Sequence, residues 1–215
     1  GTAVTLEGVV GPSRNDGVEC NECTLTATAA TFHDNSNQGV DVVGGTAIIE
    51  ASVIARNLGG GLAIEAEACT IASNFIIDNG GATAAVGGAS VTCSRQRVEH
   101  NTFAGNAAAD LGATMLRCAS TGDEVVNRNN LFDGPATEVV GCASTYSLFA
   151  SGFLPPGEGN VSAAPDLVSA TDRHLRATSA ARGRADPTTP SDLGIDIDGE
   201  ARVQGLRDIG ADEIP

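Results

Sequence analysis

The chain has 215 residues, 27 acidic and 12 basic, for a formal net charge of -15, and it contains no Lys. A surface of that sign repels nucleic acid and anionic lipid, which sets both aside as partners, and no apolar run reaches the ~18 residues of a membrane span. Aromatic residues make up 3%, with no Trp and one Tyr, so the rings on which sugars usually stack are scarce.

No signal peptide stands at Gly1, so the sequence reads as a mature or trimmed product. Residues 1–16 hold one β-like run, Ala3-Val4-Thr5-Leu6, and a turn-rich stretch from Gly11 to Gly17. They are expected to form a first repeat or its cap.

From 17 to 150 the chain is periodic. Cys69, Cys93, Cys118 and Cys142 recur at almost equal intervals, and an apolar residue precedes Asn by three at Phe32/Asn35, Ile54/Asn57, Ile76/Asn79 and Phe103/Asn106. Periods of about 20 to 50 residues mark solenoids, whose repeats bury their apolar faces only against their neighbours. Within a period the runs are short and β-branched, such as Ala47–Ile54 and Ala89–Cys93, and are broken by Gly59-Gly60-Gly61, Gly80-Gly81 and Gly87-Gly88. That texture predicts strands and turns rather than helices. Stacking them gives an all-β, single-stranded parallel β-helix with rungs near 17–38, 39–60, 61–81, 82–106, 107–134 and 135–165. Phe32, Ile54, Ile76, Phe103 and Phe132 form its inward column, and the Asn residues are expected at tight turns, tolerating a left-handed backbone and stacking their amides.

If the four spaced cysteines share one column, successive members lie roughly 4.8 Å apart, within reach of a disulfide. Cys69–Cys93 and Cys118–Cys142 then pair, and Cys20 is left to Cys23. Read as a zinc or redox motif, Cys20-Asn21-Glu22-Cys23 has no second CxxC and no βαβ context, so the structural bridge is the better reading. Six paired cysteines point to an oxidising, extracellular location. The distance from the cysteines to the apolar-Asn motif grows along the chain, which places insertions at the corner holding Arg95, Arg97, Asp123 and Glu124. That corner is the candidate binding site, because inserted loops on one face of a solenoid are often the binding face.

Residues 151–215 lose the strand pattern and are expected to wrap irregularly over the last rung and back along the outside. Two runs there, Asp192–Arg202 and Asp208–Glu213, resemble the closing signature of bacterial surface proteins with a choice-of-anchor Q region, relatives of polymorphic outer-membrane-protein and pectin-lyase-like repeats. Leu175–Arg182 fits the stretch that leads into it. The resemblance implies a right-handed helix displayed at a bacterial surface, with no established catalysis.

Within the first run Asp196, Asp198 and Glu200 alternate with apolar residues and are weak calcium candidates; no other cofactor is expected. His33, His100 and His174 fall at different phases of the repeat, and no Asp pair stands at neighbouring rungs in one column. The expected role is therefore non-enzymatic: a structural or adhesive module that meets a glycan, another surface protein, or copies of itself stacked head to tail into a fibre. The alternative is a carbohydrate-binding or polysaccharide-cleaving β-helix.

Overall fold

The computed structural model describes residues 2–109, 115–120, 122, 124–134, 139–150, 152–188, 194–202 and 207–214. Its named strands form one sheet of 16 parallel members, wound into a β-helix with three faces. Three long strands, β3 (Cys23–His33), β7 (Gly60–Ala72) and β9 (Ala89–Glu99), bend through corners and so serve two faces each. β1 (Thr2–Val10) lies along β3 as the first described strand, with a neighbour on one side only.

Face I adds β5 (Thr46–Glu50) and β12 (Glu124–Arg128) to segments of β3, β7 and β9. Face II carries β2 (Val18–Asn21), β4 (Gln38–Val43), β11 (Leu116–Cys118) and β14 (Val139–Val140). Face III follows the end of β3 with β6 (Val53–Ala55), β8 (Phe75–Ile77), β10 (Thr102–Ala104), β13 (Leu131–Asp133), β15 (Leu148–Phe149) and β16 (Val161–Ser162).

The register runs Phe32, Ile54, Ile76, Phe103, Phe132, Phe149 up face III, and these side chains are at most 1% exposed. Phe103, Phe132 and Phe149 stack with centroids 5.1 Å apart, close to the strand spacing that the ladder imposes. One inward residue per rung thus repeats the same contact.

Two buried amide ladders close the corners beside this column. In the first, Asn35 Nδ2 donates to Asn57 Oδ1 (2.7 Å), Asn57 Nδ2 to Asn79 Oδ1 (2.9 Å) and Asn79 Nδ2 to Asn106 Oδ1 (3.1 Å). The second runs from Asn74 through Asn101 to Asn130, with Ser52 and Ser147 at its ends. The stacked amides are as expected, but the left-handed residue is the one before each Asn of the first ladder: Asp34, Arg56, Asp78 and Gly105 carry φ of 55, 55, 55 and 66°. The buried Asn side chains serve instead to satisfy corner carbonyls, such as Phe32 O by Asn57 and Ile54 O by Asn79.

The larger insertion lies elsewhere than the cysteine spacing implies, although a small one stands at the expected corner: six positions separate Cys118 from Glu124, where four separate their partners Val91 and Arg95. The passage from face III to face II is short between Ile54 and Leu62, but distinctly longer between Ile76 and Ala89 and again between Phe103 and Leu116. Arg95 and Arg97 sit inside β9.

The misplacement traces to the cysteines, which do not share a column: Cys69 lies opposite Gln96, Cys93 opposite Ala66 and Cys118 opposite Val91. Across this rung the Asn ladders advance by 27 positions, whereas Cys69 and Cys93 are separated by 24. The cysteine step falls short of the rung, and taking it as the period exaggerates the lengthening at the cysteines' own corner and hides the larger one between faces III and II. The bridges nevertheless form diagonally across the corner between faces II and I, with Cα separations of 6.1 Å for Cys69–Cys93 and 5.2 Å for Cys118–Cys142; Cys20–Cys23 spans 5.8 Å.

Replacing Asn57 by Ala leaves the Asn35 amide, the Asn35 backbone N–H and the Phe32 carbonyl without their partner. A loss of about 3 kcal/mol is expected from urea unfolding, whereas Asn21→Ala at the exposed rim of β2 changes stability by less than about 0.5 kcal/mol.

Candidate functional site

Face I presents its outward side chains in rows across successive rungs. β5 supplies Thr46 and Ile48, β7 Ala68 and Thr70, β9 Arg95 and Arg97, and β12 Glu124 and Val126, in register. These residues line a groove of about 610 Å³, which at the parallel-strand spacing runs roughly 14 Å along the helix axis. Three of the four binding candidates are therefore brought together, on a strand face rather than on a loop; the fourth, Asp123, lies outside the described residues.

Both arginines along the groove are paired. Arg95 meets Glu67 at 3.0 Å, and Arg97 meets Glu99 at 2.7 Å. The other oxygen of Glu99 is held by Arg128 at 2.7 Å, and Arg128 reaches Asp186 of the tail at 2.9 Å. Glu99 is fully buried, so its two guanidinium partners are what make that position tolerable.

On face II the register sets Glu19 directly beside Asp41. A search for Asp pairs alone passes over this mixed pair. Partial burial, with the charges of Asp16 and Glu19, pushes the Asp41 carboxyl above its ordinary value.

The histidines remain apart. His33 Nδ1 contacts Asp34 at 2.6 Å, and the Asp34 carboxyl, bonded by Arg56 (2.9 and 2.8 Å) and by His33, is held well below the carboxylate range. His100 is fully buried with Nε2 3.0 Å from Asn129 Nδ2; burial and the neighbouring Arg202 and Arg207 hold its pKa well below the usual value. His174 belongs to the tail.

That tail folds back along the outside of face III. Leu175, Ala181, Ala185 and Ile209 pack on the outward Leu131 and Leu148, Ala211 N donates to Thr102 Oγ1 (3.0 Å), and Arg202 Nη2 donates to Ser73 Oγ (3.2 Å). The signature residues are largely internal struts. Asp196 accepts from the backbone N–H groups of Asp198, Glu200 and Glu213. Arg202, 5% exposed, pairs with Glu213 at 3.3 Å and caps the carbonyls of Gly210 and Ala211.

The three weak calcium candidates are thereby divided. Asp196 is committed to backbone amides, Glu200 is exposed, and Asp198 faces His174 Nε2 at 3.2 Å. His174 also contacts Asp172 through Nδ1 at 2.5 Å and meets Phe75 edge-on, ring centroids 5.1 Å apart.

Rungs of parallel strands, inward columns and amide ladders define a solenoid of the parallel β-helix class. The family model described as "right handed beta helix region" matches residues 16–147, which is more than half of the chain, and the chain belongs to that family. Its members include surface proteins and polysaccharide-acting enzymes. No curated protein and no solved structure matches the chain. The three disulfides accord with an oxidising environment.

Because the folded-state pKa of Asp41 is raised, its charged form is disfavoured on folding; that penalty is absent below the ordinary carboxyl range and appears as pH rises through the folded pKa. Asp41→Asn is therefore expected to raise Tm at pH 7 by ~1–3 °C and to leave it unchanged near pH 3. Equal Tm differences at both pH values would refute the assigned cause.

Proposed function

We propose that the protein is a non-enzymatic, exported β-helix with a structural and adhesive role at a bacterial surface, and that it meets its ligand along the outer groove of face I. The groove itself carries the reading. Four strands line it with hydroxyls (Thr46, Thr70), a small apolar floor (Ile48, Ala68) and an Arg–Glu rim. The guanidinium groups, the hydroxyls and the Glu124 carboxylate offer donors and acceptors side by side, which suits the hydroxyls of a neutral glycan. The bacterial surface rests on the resemblance of the tail runs to choice-of-anchor Q regions.

A glycan array with the native protein is expected to return hydroxyl-rich ligands whose affinity falls roughly 10-fold in Arg95→Ala, a loss on the scale of one charge-assisted hydrogen bond. Cleavage of a bound glycan, seen as new reducing ends or unsaturated products, would instead make the protein a polysaccharide-acting enzyme.

A second reading, head-to-tail assembly, is favoured by one feature. β1 offers nine residues with a single neighbour and an exposed Val9 (70%), an edge open to strand addition. The far strands are β12 with five residues and β14 and β16 with two each, all shorter than that edge. Light scattering is accordingly expected to report a monomer across concentration, and fibres in negative-stain micrographs would reverse the order of the two readings.

A further inference from the structure

Three segments of the tail converge on one point. A ring nitrogen of His174 and one oxygen each of Asp198 and Asp212 lie within 4.8 Å of one another, although the three residues are well separated along the chain. We propose that this cluster binds a divalent transition metal of the zinc type, which clips the tail together against face III. The proposal is independent of the ligand assigned to face I.

One separation already matches a metal site. With bonds of ~2.0–2.2 Å, neighbouring ligand atoms in a tetrahedral zinc site stand roughly 3.3–3.5 Å apart, and Nε2 to Asp198 Oδ2 is 3.2 Å. The ring is aimed from behind: Asp172 Oδ1 sits 2.5 Å from Nδ1, the outer carboxylate that commonly fixes the tautomer and orientation of a ligating histidine. Phe75 abuts the same ring edge-on and limits its rotation. Asp212 is equally fixed, since its Oδ2 accepts the Leu175 N–H at 2.7 Å.

Charge supplies a separate argument. Asp212 is only 6% exposed, and among the described residues no Arg forms a salt bridge to Asp212 or Asp198. A buried carboxylate ordinarily has a cation or metal beside it. Here one imidazole faces the carboxylates of Asp172, Asp198 and Asp212, and a dication would neutralise the two that ligate it. One nitrogen and two oxygens suit a borderline ion such as zinc better than calcium, which takes six to eight oxygens.

The test uses the whole protein, stripped with EDTA and titrated with zinc chloride alone by calorimetry in the presence of ~1 mM calcium. Expected are one zinc per chain with Kd at or below about 10 µM, and a Tm raised by roughly 5 °C at a hundredfold excess over Kd. Asp198→Asn, whose side chain is half exposed and has His174 as its ion-pair partner, should fold normally and bind at least 10-fold more weakly; His174→Gln should abolish binding. Cobalt(II) in place of zinc should give the visible spectrum of a four-coordinate site. No saturable binding up to ~1 mM zinc, displacement by equimolar calcium, or unchanged binding in Asp198→Asn would overturn the proposal.

Discussion

A parallel β-helix is governed by return. Each rung must bring the chain back to the same register one strand spacing higher, or the backbone ladder and the inward columns both fail. In this protein the return is enforced at the corners. The left-handed residues Asp34, Arg56 and Asp78 turn the chain after face III. Of the Asn residues that follow them, Asn57 and Asn79 each donate to the rung on one side and accept from the rung on the other. Left-handed backbone costs non-glycine residues roughly 1–2 kcal/mol, which a fully bonded buried amide can offset. The ladders therefore tolerate steps of 22, 27 and 29 residues from one rung to the next, because extra residues leave the helix between corners without disturbing the corner itself.

What is legible in the sequence follows from that constraint. The inward column can be read because an apolar residue three before Asn is repeated, and the parallel solenoid follows from it. The second ladder carries an equally plain signal, Asn-x-apolar-x-x-Asn at Asn74/Ile76/Asn79 and Asn101/Phe103/Asn106, which passes for one motif until the structure separates it into two. The location of the insertions is only partly legible from cysteines. A disulfide needs only proximity across a corner, so a cysteine can slip a few positions along a strand and keep its partner, while an Asn in a ladder cannot.

The candidate site divides along the same line. Arg95, Arg97 and Glu124 emerge from the sequence for the wrong reason: expected on a loop, they lie on paired strands whose register aligns them. Parallel strands place every second residue on one outward face, so a row across rungs can be deduced only once the register is known. The contacts of the tail are beyond reach for a different reason. His174, Asp198 and Asp212 belong to irregular backbone with no period, and nothing in their spacing states that they meet.

The packing of the tail also explains why its sequence is distinctive. Outward positions of face III are apolar where they could have been polar: Phe75, Leu131 and Leu148 are buried, and only a covering segment makes that possible. Beyond Asn130 the rungs contract to 17 and then 13 residues, so the stack tapers while the remaining chain turns back over this apolar strip. A covering segment whose described residues form no named strand must satisfy its own backbone groups. Asp196, Arg202, Asp208 and Glu213 do this, bonding backbone N–H groups and carbonyls from several turns at once. Buried charges used in this way specify one arrangement of an irregular chain, because any other leaves them unpaired. The acidic-apolar alternation that resembles a ligand motif is thus the pattern a strandless cap requires, and chemistry is left to the residues it exposes at its edge, where Asp198 turns toward His174.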